Sequence, residues 1–199
     1  MRLPAEQRKS QLLDVAVELF AERGFHATSM EDIADAAGVT KPVVYQHFPS
    51  KRALYRELLD AVDTSLTGRL VAATASAATG RERVQEGFAA YFHFVSDHRA
   101  SFRVLFGASV RNDPEFAVVA DATIERIADL IADLIAIDGP TEQRRTLAHA
   151  VVGMAEATSR RVANDEGEDD PDRLARWLAE MAWFGLRGVR ADEPAVDRS

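Results

Sequence analysis

The chain has 199 residues, no cysteine and a formal net charge of −8 at pH 7, and 47% of its side chains are hydrophobic. This length allows one sizeable core or a small head joined to a larger body, and the lack of cysteine excludes disulfides and thiolate metal sites. The N-terminus has no apolar secretion segment, and Asp129 and Asp133 interrupt the most apolar run, Ile124–Ile137, so we expect a cytoplasmic protein without a membrane span.

The acidic charge is unevenly distributed, which bears on whether the chain can bind nucleic acid. Residues 1–60 carry 8 basic and 9 acidic side chains, whereas residues 61–199 carry 16 and 23. DNA binding needs only a local basic surface, and an acidic remainder discourages nonspecific wrapping. The near-neutral head is therefore compatible with a DNA partner.

The first predicted helix, Glu6–Arg23, has apolar residues at helical spacing, including Leu12, Leu19 and Phe20. Phe25 follows Gly24 and is expected to fill the core. Basic residues near the helix start are open to two interpretations, solvated surface charge or contact with a DNA phosphate. These residues are Arg2, Arg8 and Lys9.

Residues 28–51 predict two short helices joined by a tight turn. A capping box, Thr28 with Glu31, is expected to open the first helix, and Gly38 supplies the left-handed residue that closes it. Thr40 is a plausible N-cap of the second helix, and Pro42 is tolerated in its first turn. This is a helix-turn-helix pattern.

The same stretch, after the apolar first helix and its Arg23-Gly24-Phe25 exit, resembles the TetR family of bacterial transcription regulators. The likeness covers roughly residues 5–60 and includes Gly38-Val39-Thr40 and Tyr45-x-His47-Phe48. The block 41–48 is also similar to a branch of the family that controls fatty-acid synthesis and senses long-chain acyl-CoA. Two downstream segments, Val152-Gly153-Met154 and Ala182–Leu186, share that similarity.

The second short helix is expected to enter the major groove of double-stranded DNA. Lys41, beside Thr40 at its N-terminus, can donate to guanine O6 or N7, while Pro42 and Val43 can touch thymine methyls. Gln46 either contacts a base or faces solvent. The resemblance implies phosphate contacts by Tyr45 and His47 with three further residues near helix starts. These three are Thr28, Ser29 and Lys51.

The remainder predicts an all-α body with no strand pattern. After Ser50 a long helix runs from Lys51 to about Thr74, and its apolar period suits a connection between head and body. The later helices are expected at 81–97, 100–109, 114–137, 141–164 and 172–189. We therefore predict a DNA-binding head at 1–50, a ligand-binding and dimerisation body at 51–190, and a disordered tail at 191–199. The acidic run from Asn164 to Asp172 lacks calcium-ligand spacing and is expected to be a solvated connection.

Aromatic side chains concentrate over two neighbouring body helices. Each of these side chains can simply fill the core, but together they favour an apolar cavity for a small ligand. The sequence does not decide whether that ligand is a fatty acid, an acyl-CoA, a drug or another apolar molecule. The predicted ligand-binding residues are Phe88, Tyr91, Phe92, Phe102, Phe106, Phe116 and Met154. No cofactor is expected.

The last two helices combine large apolar side chains with small residues, which let helices approach closely. In the resembled family this region is the dimer interface. The alternative to a dimer interface is that both helices only complete the core of the monomer. The predicted interface residues are Leu147, Val151, Met154, Ala155, Thr158, Trp177, Leu178 and Met181.

No catalytic motif stands out in the sequence. His93 and Asp97 lie one helical turn apart and His98 follows, but they lack a second cluster at metal-ligand spacing, so no metal site is expected. We expect a homodimeric repressor of transcription, bound to a palindromic operator and controlled by an apolar or amphipathic ligand. The alternatives are a DNA-binding dimer without a ligand and an all-helical enzyme.

Overall fold

The computed structural model describes residues 3–135, 139–164 and 170–188, and regular structure in these ranges is entirely helical. The predicted all-α class is confirmed. The helices are α1 (Ala5–Ala27), α2 (Met30–Ala36), α3 (Lys41–His47), α4 (Lys51–Ser76), α5 (Gly80–Asp97), α6 (Arg99–Phe106), α7 (Ala108–Arg111), α8 (Pro114–Leu134), α9 (Thr141–Asn164) and α10 (Pro171–Gly188). None of the helices in these ranges has the length and apolarity needed to cross a membrane. Arg2, residues 165–169 and the predicted tail 191–199 lie outside the described residues.

The chain divides into two compact units. The head unit comprises residues 1–65 with 98–120, and the body unit comprises residues 66–97 with 121–199. The head unit is thus larger than the DNA-binding domain predicted for residues 1–50, because α6, α7 and the start of α8 pack with it. Both α4 and α8 run without interruption from one unit into the other.

An aromatic cluster forms the centre of the head unit. Tyr55 of α4 packs edge-on against Phe20 with ring centroids 4.8 Å apart, and Phe116 of α8 lies 4.6 Å from Tyr55 and 5.0 Å from Phe25. Burial raises the pKa of the Tyr55 hydroxyl, which donates a hydrogen bond to the Val104 carbonyl at 3.2 Å. The expectation that Phe25 fills the core is confirmed.

An ion-pair network ties α4 to the start of α8 within the head unit. The Arg52 guanidinium lies 2.7 Å from Asp113 Oδ2 and 2.7 Å from Glu115 Oε2. Asp113 also accepts from the Glu115 backbone N–H at 3.1 Å, so it caps α8 as well as holding Arg52. The hydrogen bond from Arg52 keeps the pKa of the Asp113 carboxyl below its ordinary value.

The body unit is a bundle in which α5 packs against α9 and α10. The buried face of α10 alternates large and small apolar residues, among them Leu174, Leu178 and Ala182. At the rim of the unit, His93 of α5 lies 2.8 Å from Asp172 Oδ1 of α10. His93 is therefore paired with a carboxylate from another helix.

Two glycines explain where helices bend or break. At Gly24 the backbone has φ of 79° and ψ of 167°, so α1 leaves helical geometry at the predicted exit and then continues to Ala27. The helix predicted at 100–109 is interrupted at Gly107 and is observed as α6 and α7. A Cβ at Gly107 would lie 2.2 Å from the Arg103 carbonyl oxygen, so this break needs glycine.

Candidate nucleic-acid interface

The first helix of the helix-turn-helix begins one residue later than predicted. Thr28 is buried, and its hydroxyl donates to the Gly24 carbonyl at 2.9 Å and the Leu19 carbonyl at 3.3 Å. Ser29 is the N-cap instead: the Asp32 backbone N–H donates to Ser29 Oγ at 3.1 Å, and the Ser29 N–H donates to Asp32 Oδ2 at 2.7 Å. The Thr28–Glu31 capping box was therefore wrong, because tertiary contacts engage the Thr28 hydroxyl.

The turn between α2 and α3 follows the prediction. Gly38 has φ of +64°, the left-handed conformation that glycine adopts at least cost. The N–H of Val39 then donates to the Ala34 carbonyl at 2.9 Å and satisfies one of the last carbonyls of α2. Ile33 and Val44 are completely buried on either side of this turn, so the two short helices are held in a fixed arrangement.

Helix α3 begins after Thr40 with Pro42 in its first turn, as predicted, although the Thr40 side chain forms no capping hydrogen bond. Of its seven residues only Val44 is buried. The remaining side chains form an exposed or half-buried surface, which we call the α3 face. It comprises Lys41, Pro42, Val43, Tyr45, Gln46 and His47.

Lys51, predicted as a phosphate contact, holds the end of α1. Its ammonium donates to the Phe25 and Thr28 carbonyls, both at 2.7 Å, and approaches the His26 carbonyl at 3.4 Å. It also lies 4.4 Å from the centroid of the Phe25 ring. Desolvation lowers the pKa of the Lys51 ammonium. A lysine placed there neutralises the negative end of a helix and fixes the approach to α2.

Several other cations of the head unit are engaged by neighbouring side chains. Lys9 lies 2.5 Å from Glu57 Oε1, and this hydrogen bond raises the Lys9 pKa, while Arg8 donates to the Gln11 side chain. Arg52 is held by the α8 carboxylates described above. On the α3 face itself, Lys41 lies 3.4 Å from Glu31 Oε2 of α2. This pair was not predictable from the sequence, because the two residues are ten positions apart in different helices.

The predicted ligand-binding aromatics are all buried, but they belong to different units. In the body unit Tyr91 packs edge-on against Phe92 at 5.4 Å, and Phe88 stacks on Phe92 at 6.3 Å. Burial raises the pKa of the Tyr91 hydroxyl, which stays protonated at neutral pH. Met154 is half-buried in the same unit.

The remaining aromatics of that set lie in the head unit. Phe102 and Phe106 are 5.1 Å apart, and Phe116 belongs to the cluster around Tyr55. The concentration of aromatics in the sequence predicted a cavity lining or core packing for each of these residues, but it could not assign them to one unit or the other.

Helix α10 carries an exposed apolar strip. Trp177, Met181 and Phe184 are 55%, 54% and 63% exposed, whereas the predicted interface residues Leu178 and Ala155 are buried within the body unit. Leu147, Val151, Met154 and Thr158 of α9 are half-buried. Phe184 was absent from the predicted set, although its spacing of seven from Trp177 and three from Met181 signals the same helical face.

Polar clusters in the described ranges do not form a metal site, since no group of three or more suitable ligands comes together there. A shallow surface groove is lined by Thr141, Glu142, Arg145, Thr146 and His149. His149 pairs with Glu125 at 3.0 Å beside this groove. This groove has none of the predicted aromatic ligand residues.

Comparisons with known proteins agree with this geometry. Residues 12–58 match the family model for bacterial regulatory proteins of the tetR family, and residues 80–185 match the model for a tetracyclin repressor-like C-terminal domain. The HTH-type transcriptional activator FasR of Mycolicibacterium smegmatis is 33% identical over 190 residues, which cover 94% of this chain and 87% of FasR. The HTH-type transcriptional repressor KstR2 of Mycobacterium tuberculosis is 35% identical over 116 residues, covering 57% of this chain and 58% of KstR2.

A solved structure shows the same fold along nearly the whole chain. The crystal structure of a TetR-like transcriptional regulator from Rhodococcus sp. RHA1 has a TM-score of 0.79 and 32% identity, covering 94% of this chain and all of that one. These relatives are transcriptional regulators and not enzymes. The chain has an exposed helix-turn-helix in its N-terminal part, matches both family models and aligns with a regulator over most of its length, and it therefore belongs to the TetR family of DNA-binding transcriptional regulators.

Proposed function

We propose that the protein acts as a cytoplasmic homodimer that binds a palindromic operator through the α3 face, and that an apolar ligand in the body unit changes its affinity for that operator. The observation that carries the proposal is the exposure of α3: a seven-residue helix with one buried residue is held rigidly while its other side chains face outwards. A surface of this shape fits the major groove of DNA.

The residues of the α3 face have distinct roles in this proposal. Lys41 donates to guanine O6 or N7, Pro42 and Val43 contact thymine methyls, and Gln46 lies beside them at the base edges. Tyr45 and His47 contact phosphates, together with Ser29 at the start of α2. Thr28 and Lys51 were expected to contact phosphates as well. Their hydrogen bonds to carbonyls support a further role, in which they hold α1 and α2 in register for DNA.

Dimerisation is supported by the exposed strip on α10. Large apolar side chains such as Trp177, Met181 and Phe184 cost free energy when they face water, and burying them against a second copy removes that cost. The adjacent small residue Gly185 and the exposed Gly153 of α9 allow close helix approach. Two copies related by a two-fold axis would place their α3 helices roughly 34 Å apart, one turn of DNA.

The ligand is proposed to contact Phe88, Tyr91 and Phe92 of α5, with Met154 of α9 as an adaptable neighbour. This aromatic group suits a long acyl chain, and each buried CH₂ contributes about 0.8 kcal/mol. The resemblance to the acyl-CoA-sensing branch supports a fatty acyl-CoA. Phe102, Phe106 and Phe116 were predicted for the same site and pack within the head unit.

The ligand must bind one arrangement of the two heads more tightly than the other, because equal affinity for both arrangements would not change the equilibrium between them. Helices α4 and α8 are the proposed carriers of this change, since each is continuous between the units. The Arg52 pair with Asp113 holds the two helices together within the head unit.

Binding-site selection from random double-stranded DNA tests the DNA proposal. We expect enrichment of one palindromic motif, and an asymmetric motif or no enrichment would overturn it.

A thermal-shift series with acyl-CoA of increasing chain length tests the ligand proposal on the same protein. A rise of the melting temperature with chain length, with altered operator affinity, is expected; a flat series would favour a DNA-binding dimer that responds to no ligand.

The direction of regulation is proposed to be repression, as expected from the sequence. FasR is named an activator and KstR2 a repressor, so relatives of both signs exist. A reporter gene placed behind the selected operator measures the sign directly. Lower expression in the presence of the protein is the expected result, and higher expression would assign activation.

A further inference from the structure

Glu31 is an acidic side chain at the surface proposed to contact a polyanion. It lies in the first turn of α2, is 68% exposed and points its carboxylate to within 3.4 Å of the ammonium of Lys41. Lys41 is the first residue of α3 and is 49% exposed. A negative and a positive group therefore stand side by side at the start of the α3 face.

The pair has no evident structural purpose within the described ranges. An exposed ion pair at this separation contributes little to stability. The carboxylate that α2 needs in its first turn is supplied by Asp32, which accepts from the Ser29 N–H at 2.7 Å. Hydrogen bonds from Ser29 also lower the Asp32 pKa. Glu31 is thus free of the capping function.

A carboxylate at a DNA surface is unfavourable unless it accepts a hydrogen bond from a base, because the phosphates repel it. Cytosine N4 is the donor that Glu contacts in the major groove, and guanine O6 and N7 are the acceptors that Lys contacts. In a G·C pair, O6 and N4 are hydrogen-bonded to each other and so lie about 3 Å apart. The spacing between the Lys41 ammonium and the Glu31 carboxylate, 3.4 Å, matches this arrangement.

We infer that Glu31 is a specificity-determining residue that, together with Lys41, recognises one G·C pair in each half-site. Lys41 donates to the guanine and Glu31 accepts from the cytosine of the same pair. Inverting the pair to C·G places the amino group opposite the ammonium and the carbonyl opposite the carboxylate, so both contacts become repulsive. This assignment rests on the proposed placement of α3 in the major groove.

The experiment measures binding to the operator selected with the wild-type protein and to versions changed at each position. For wild type, one position per half-site should prefer G·C over C·G by roughly ten-fold or more. Glu31→Ala should reduce that preference to a few-fold and leave the other positions unchanged. Glu31→Gln, whose amide both donates and accepts, should tolerate the inverted pair and favour adenine there.

Asp35→Ala is the matched control, because Asp35 is another exposed acid of α2 and its removal changes the net charge equally. It should strengthen binding to all sequences slightly without changing any position's preference. If Glu31→Ala behaved like Asp35→Ala, or retained the wild-type preference at every position, the assignment would be overturned. A palindromic wild-type operator with unchanged preferences in Glu31→Ala would leave the proposed function standing and remove only this inference. No enriched operator would remove both.

Discussion

Helices α3 and α10 both expose side chains, but of opposite kinds. The α3 face presents a lysine, a glutamine, a histidine and the hydroxyl of Tyr45, whereas α10 presents Trp177, Met181 and Phe184. Polar groups that remain hydrated suit a wet, charged partner such as DNA, while large apolar groups suit a dry contact with another protein chain. In our proposal each surface therefore serves one class of partner, and variants on one surface should affect the other only through assembly.

The largest effect is expected from a charge on the α10 strip. Met181→Asp should convert the proposed dimer into monomers, because burying an unpaired carboxylate costs several kcal/mol, which corresponds to a hundred-fold or greater loss of dimer affinity. Analytical ultracentrifugation measures the change, and operator binding should fall with it. Leu178→Asp is a poorer test because Leu178 is already buried within the body unit, so the variant would also unfold it.

The control is Val118→Asp, which places the same charge on another exposed apolar residue, 66% exposed on α8. It should remain dimeric and bind the operator. A dimeric Met181→Asp protein of unchanged stability would place the interface elsewhere.

The next effect is expected on the α3 face. Lys41→Ala should lose about 1–3 kcal/mol of discrimination at one operator position per half-site, since one contact to guanine is removed. Its dimer affinity should equal that of wild type. Fluorescence anisotropy with single-base operator variants measures the preference, and a Lys41→Ala protein that retained every base preference would exclude contact between Lys41 and a base.

Lys51→Ala is expected to lower the free energy of unfolding by roughly 2 kcal/mol, because it leaves carbonyls at the end of α1 without their charged donor. The affinity for every DNA sequence should fall by a similar factor. Lys51→Met is the matched control, since it retains the apolar stem and isolates the loss of the ammonium. Urea unfolding measures the stability. Full stability of both variants with weaker binding and a flatter salt dependence would instead support direct phosphate contact.

The smallest effect concerns the ion pair between His149 and Glu125, which involves neither exposed surface. A hydrogen bond with the Arg145 carbonyl and another with Glu125 raise the His149 pKa above its ordinary 6.5. The pair therefore stabilises the fold fully at pH values below 6.5 at which Glu125 is ionised, and this contribution is lost as the pH rises through the raised His149 pKa. His149→Gln should reduce the pH dependence of the melting temperature between about pH 6 and pH 8. The change should be small because both groups are exposed. Unchanged pH dependence would show that the pair contributes nothing.

The local features of the helix-turn-helix were predictable because their causes are local. Gly38 and Pro42 have backbone requirements that a short stretch of sequence reveals, and the structure confirms both. Thr28 and Ser29 show where such reasoning fails. Both are good N-cap residues, and carbonyls of α1 decide between them by engaging the Thr28 hydroxyl.

Contacts between distant segments were not predictable from the same signals. Phe116 was predicted to line a ligand cavity or to fill the core, but only the fold shows that it packs with Phe25 and Tyr55 in the head unit. Lys51 is similar, since its partners precede it by more than twenty residues. The exposed strip of α10 was partly predictable from the sequence. The spacing of its residues places them on one helical face, but it cannot show which face the body unit covers.

The most direct test of the central claim is hydroxyl-radical footprinting, combined with guanine N7 methylation protection, on the selected operator. We predict two symmetric protected segments whose centres lie about 10 base pairs apart, with protected guanines in the major groove of each half-site. Lys41→Ala should lose protection of one guanine in each segment and leave the backbone footprint intact. A single protected segment, or a footprint without major-groove guanines, would contradict the placement of two α3 helices on a two-fold site.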